Sequence, residues 1–148
     1  MGAVTYPNAL VIDYINAHFI PAKLNVVDHP EVKTYFFTDW TPTIIVQNEA
    51  GREGRRSEGY VGPTELIAEL SLARVKIALY DHAYEQALGL ANESVQLTKG
   101  DALREPEAYY WRAVADYRAS GHGKKLSDGW DAVIAKFPHS DWAERADV

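Results

Sequence analysis

The 148-residue chain contains no cysteine. That absence excludes disulfides, thiolate catalysis and cysteine-ligated zinc or iron–sulfur centres together. Surplus positive charge is also missing: 15 Lys and Arg stand against 21 Asp and Glu, a formal net charge of -6. With no Lys/Arg stripe either, neither nucleic acid nor an anionic membrane surface is expected as a partner. No apolar run approaches the roughly 18 residues that cross a bilayer, and no basic segment followed by an apolar core opens the chain. A soluble, cytoplasmic protein is the expectation. His18, His29, His82, His122 and His139 are scattered, and none forms His-x-x-x-His or His-Glu-x-x-His, so no metal and no cofactor is expected. "GHGK" at 121–124 lacks the preceding strand and following Ser/Thr of a phosphate loop, and reads as a turn between helices.

What is present is the material of a globular protein. Hydrophobic residues make up 47% and charged residues 24%, enough to build a core and too little charge for disorder. Asn8 can cap a helix with Leu10, Val11, Tyr14, Ile15 and Phe19 at helical spacing. Residues 20–27, "IPAKLNVV", alternate as a short strand with Ala22, Leu24 and Val26 on one face. Asp28, with Pro30 in the first turn, starts a second helix that buries Val32, Tyr35 and Phe36.

The β-branched run 43–47 reads as a buried strand, "NEAGREG" as a turn, and 55–61 as its antiparallel return. From Pro63 a long helix turns Leu66, Ile67 and Leu70 inward. Beyond residue 74 the periodicity is helical throughout. It breaks near Tyr80-Asp81-His82 and at "GHG", ends at Pro138, and resumes with Ser140 capping a short last helix.

Catalytic constellations are thin. Asp28 beside His29 could be a base and its orienter, but an N-cap at a strand-to-helix turn accounts for the pair more simply. Ser57 and Glu58 have no histidine near them in sequence, and no nucleophile motif surrounds any serine. Tyr109, Tyr110, Trp111, Tyr117, Trp130 and Trp142 are core candidates by spacing. Three consecutive aromatics cannot all face one way on a helix, however, so at least one is expected to be exposed or to line a groove, with Tyr109 and Trp111 as candidates. Trp40 is open between core and the border of a peptide groove.

Residues 3–75 resemble the C-terminal portion of a thioredoxin domain. The resemblance rests on a helix, a strand running into "VVDHPEV", a second helix, "TPTIIV", a turn, "EGYVG" and a further helix. It implies that Pro42 takes the family's cis-proline position and that Trp40, Thr41, Pro42 and Thr43 form a vestigial substrate-pairing edge. The family's Cys-x-x-Cys would lie just upstream of "VIDYINAHFIP", and the chain has no such pair. Met1 is therefore expected to match an internal position of a longer parent. The strand missing between 20–27 and 43–47 is expected to be replaced either by direct pairing of those two or by another chain.

Residues 76–148 resemble a tetratricopeptide-type helical hairpin, with Tyr110, Ala113, Val114, Tyr117, Leu126, Trp130, Val133 and Pro138 at the repeat's spacings. Val114 stands where a glycine is usual, and Leu126 and Val133 replace small alanines. The expected architecture is α/β: a partial thioredoxin-like sheet with flanking helices over 1–75, then all-α helical hairpins over 76–148. The expected function is a protein-binding or self-assembly module, not an enzyme in this form, whose partner is a protein or peptide or a second copy, held by strand pairing or swapping. The alternative is the C-terminal portion of a thiol–disulfide oxidoreductase whose Cys-x-x-Cys lies upstream of Met1.

Overall fold

Local signals set most element ends. The structure is a computed structural model that describes residues 1–147. In chain order it contains α1 (Ala9–His18), α2 (Pro30–Tyr35), β1 (Thr43–Gln47), β2 (Glu53–Glu58), α3 (Pro63–Tyr80), α4 (Tyr84–Leu97), α5 (Arg104–Ser120), α6 (Gly123–Lys136) and α7 (Asp141–Ala146). Asn8 caps α1, its side chain accepting from the N–H groups of Leu10 and Val11. Ser140 caps α7 by accepting from Ala143 N–H. Gly121 ends α5 in the left-handed region at φ 72°, its N–H bonded to the Tyr117 carbonyl, a conformation that a side chain would strain.

The fold is thus mixed α/β but mostly helical, with β1 and β2 as its only sheet among the described residues. An Asx turn closes the hairpin: Asn48 Oδ1 accepts from Ala50 and Arg52 N–H at 3.1 and 2.8 Å.

Two readings are corrected here. Residues 20–27 form no strand; 20–25 are irregular and a turn follows at 26–28. Proline at 21 has no N–H to offer a ladder, and the apolar side chains find no face to cover, leaving Ile20 wholly exposed and Leu24 and Val27 at 50% and 82%. Direct pairing of 20–27 with 43–47 is therefore not observed. Nor does Asp28 cap α2. His29 holds the N-cap position without a side-chain bond, while Asp28 Oδ2 accepts from Asn25 Nδ2 at 2.7 Å inside the preceding turn. Pro30, lacking an N–H, removes one of the donors that a cap would have served.

The chain divides into two compact units. The first comprises Met1–Ile45 with Arg56–Ile67, the second Val46–Arg55 with Ala68 onward. The core of the first unit is small: Val11, Val61 and Leu66 are buried, and the buried Thr5 hydroxyl donates to the Val61 carbonyl at 2.7 Å.

The second unit packs α4 on α5, α5 on α6, and α7 on both α5 and α6. Val75 and Ala78 of α3, Ala87 and Ala91 of α4, and Ala115 of α5 make one core cluster; Leu72, Val95 and Ala108 make another. Alanine-lined faces let helix backbones approach closely. At the α5–α6 crossing, a Cβ added to Gly129 would lie 2.4 Å from Ala113 Cβ, so only glycine fits.

Candidate protein-interaction surface

The segment 36–43 links α2 to β1 and carries the sequence-derived site. The end of α2 is a Schellman turn: Thr38 N–H bonds the Lys33 carbonyl at 3.0 Å and Phe37 N–H the Thr34 carbonyl at 3.4 Å. This turn needs a left-handed residue after the helix, and here that residue is Phe37, at φ 52°. A bulky aromatic in this region is uncommon, glycine being the usual choice. Its ring is also 84% exposed. Arg56 donates to the Phe36 carbonyl at 2.9 Å and ties the turn to β2.

Four residues on, the Thr41–Pro42 peptide is cis. The Pro42 carbonyl accepts from Gly59 N–H at 2.8 Å, and the Thr43 hydroxyl donates to the Trp40 carbonyl at 2.6 Å. Trp40, open between core and groove by sequence, is 66% exposed, and Thr41 is exposed beside it. The sequence places Tyr35 in the core of α2, but it is 76% exposed. With six residues, α2 is too short to present a full inward stripe, and only Val32 and Phe36 are partly covered. Together with Glu31 and Thr34, these three side chains line a shallow open depression.

The other candidates, Tyr109 and Trp111, take a different part. All three consecutive aromatics of α5 are half-buried, none fully exposed, because α5 is covered on several sides and each finds its own neighbour. Tyr109 meets Phe137 edge-on at 5.3 Å between centroids, and its hydroxyl accepts from Lys136 Nζ at 2.7 Å. Tyr110 stacks on Trp130 at 5.0 Å and touches Trp142 at the same distance. Trp111 packs on both alanine-rich clusters. The expected exposed member of the trio is not found.

The main electrostatic feature of the second unit has no counterpart in the sequence reading. Arg55 of β2 bridges two carboxylates, Glu69 of α3 and Glu107 of α5. It bonds Glu107 at 2.7 and 3.0 Å and Glu69 through Nε and, at 3.1 Å, a terminal nitrogen. Arg104 bonds Glu69 from the other side and Asp101 at 3.1 Å. Burial alone would lower the pKa of the Arg55 guanidinium, but hydrogen bonds and charge from Glu69 and Glu107 more than reverse this. Burial likewise pushes the Asp101 carboxyl up, while Arg104 and Leu103 N–H and the Arg104 side chain hold it below its ordinary range. Every carboxylate here already has a cation, so the network is a clasp between hairpin and helices. Sequence separations of 14, 35 and 52 made it invisible to local patterning.

No family model, curated protein or solved structure matches the chain. Among the described residues, no helix is long and apolar enough to cross a membrane.

Proposed function

We propose that the chain is a binding module that associates with protein, a second copy of itself included, through the first unit. The observation that carries this is where the apolar surface lies. Of twelve exposed large hydrophobic side chains, eleven belong to the first unit: Val4, Tyr6, Leu10, Ile12, Ile20, Leu24, Val27, Tyr35, Phe37, Trp40 and Tyr60; Leu103 alone belongs to the second. Isolated exposed apolar residues are ordinary on any protein, whereas such concentration in one small unit marks an interaction surface. Exposed aromatics are also the side chains that most often anchor interfaces.

In this reading Trp40, Thr41, Pro42 and Thr43 are the peptide-pairing edge of a thioredoxin-like unit without thiols, and the helices from α4 onward a tetratricopeptide-like support. Chemistry on a substrate is no part of it. The test is light scattering over a range of concentrations, comparing the parent chain with a Tyr35→Ser/Phe37→Ser/Trp40→Ser variant. Mass rising with concentration for the parent and not for the folded variant is the expected result; equal masses for the two overturn the assignment.

A further inference from the structure

Away from that surface, the second unit carries a strip in which cations and aromatic rings alternate. The Arg52 guanidinium lies 3.7 Å from the centroid of the Tyr80 ring, and Lys76 Nζ lies 5.5 Å from the same centroid. Lys76 also sits 3.7 Å over Trp111. Trp111 meets Trp142 at 6.0 Å, and the Arg145 guanidinium stacks 4.8 Å from Trp142. Hairpin turn, α3, α5 and α7 thus contribute to one run of contacts.

Two observations set this strip apart from ordinary surface stacking. First, none of its three cations forms a salt bridge among the described residues, although Glu53 adjoins Arg52 and Asp141 stands four residues before Arg145. Asp81, next to Tyr80, is taken by Asn48 Nδ2 at 2.7 Å. In a chain with net charge -6, three cations in one row that pair with none of the acidic side chains near them in sequence are unusual. Second, the indole N–H of Trp111, the ring under Lys76, is buried without an acceptor among the described residues. Cation–ring stacking shields the rings but leaves each cation's charge uncompensated.

We propose that this strip binds an acidic peptide segment in extended conformation, its carboxylates seated between the stacked cations. An extended chain advances about 3.3 Å per residue, so side chains on one face recur at roughly 6.6 Å. Carboxylates on alternate residues therefore form a row of anions on one face of the peptide, to be met by successive cations such as Arg52 and Lys76, which share the Tyr80 ring. An open strip with no deep cavity suits a chain better than a compact small molecule. Carboxylate–cation pairs formed against aromatic faces are better shielded than those in open water, and a second or third pair on the same chain adds by effective concentration.

Lys76 lies directly over an indole, so occupancy has its own optical signal. The experiment uses the full chain in a Trp40→Phe background and follows tryptophan emission during titration with an end-blocked (Ala-Glu)3 peptide. The (Ala-Gln)3 peptide and tripolyphosphate serve as comparisons. A saturable spectral change with the Glu peptide, weakened by salt and absent with the Gln peptide, is expected. Arg52→Gln and Arg145→Gln are each expected to weaken binding about 2- to 5-fold, the range of a partly exposed ion pair. The double variant is expected to lose about 4- to 25-fold by the same reasoning. Both positions are at the surface, so the fold is checked by circular dichroism and is expected to hold. No saturable change, equal binding of the Gln peptide, binding of tripolyphosphate alone, or an equal loss in Lys23→Ala, which lies in the other unit, would each overturn the proposal. Because the strip lies in the second unit, either result is independent of the association assay on the first.

Discussion

The two units of this chain settle their surfaces in opposite ways. The second hides small apolar residues between helices and pairs its interior charges: Arg55, Glu69, Arg104 and Glu107 are each largely buried and each bonded to an opposite charge. In the first, Val11, Val61 and Leu66 are buried while eleven larger hydrophobic side chains stay exposed. Its contact of His29 Nδ1 with a Glu31 carboxylate oxygen at 3.3 Å lies between two exposed groups and contributes little. Size explains part of the contrast, since a small unit cannot enclose much of its own apolar surface. Position explains the rest. Tyr35 at the end of the short α2, and Phe37 and Trp40 in the segment between α2 and β1, all stand exposed. One unit encloses its apolar side chains, and the other leaves most of its large ones exposed.

Breaking the ionic clasp should have the largest effect. Glu69→Ala leaves Arg55 and Arg104 buried with one carboxylate fewer each, a loss of about 3–5 kcal/mol, read by chemical denaturation. Stability also has a sign with pH. Asp101 of the clasp, and Glu105, which accepts from Gly100 N–H and Lys136 Nζ outside it, have lowered pKa values in the folded chain, so their contribution is fully present above the ordinary carboxylate range. It is lost as pH falls through their folded values, and an acid-side decline in melting temperature that shrinks in Asp101→Asn checks this. Gly129→Ala drives a methyl group into Ala113 and should cost about 1–3 kcal/mol of overpacking, again in the second unit.

Changes in the first unit should be small or of opposite sign. Phe37→Gly removes a side chain from a left-handed position and should be neutral to about 1 kcal/mol stabilising, while reducing association. Trp40→Ser should shift stability by less than about 0.5 kcal/mol and still weaken association. A Trp40→Ser variant that unfolds would place that ring in a core and erase the contrast.

What can be read in the sequence is what is local, and this cuts across the two units. Helix ends and inward faces are legible for that reason. Asn8 and Ser140 cap as their side-chain chemistry dictates, Gly121 ends α5, and the turn at 81–83 separates α3 from α4. Leu66 and Leu70 are buried on the face that their spacing assigns. What misleads is alternation without a partner: 20–27 has a strand's pattern, but a strand exists only when a ladder receives it. The clasp joins residues far apart in sequence, and no local pattern announces it. Phe37 is hidden for another reason, since the Schellman turn it completes ordinarily shows itself by a glycine.

Hydrogen exchange measured amide by amide, at low and at high protein concentration, tests the central claim most directly. Amides of α4 to α6 should be protected equally at both concentrations. Those of residues 20–25 and 39–41, which have no backbone partner within the described residues, should be unprotected when dilute and gain protection as concentration rises. Protection of the first unit that is already high in dilute solution, or that does not change with concentration, would contradict the account: the apolar surface of Tyr35, Phe37 and Trp40 would then be a surface that nothing covers.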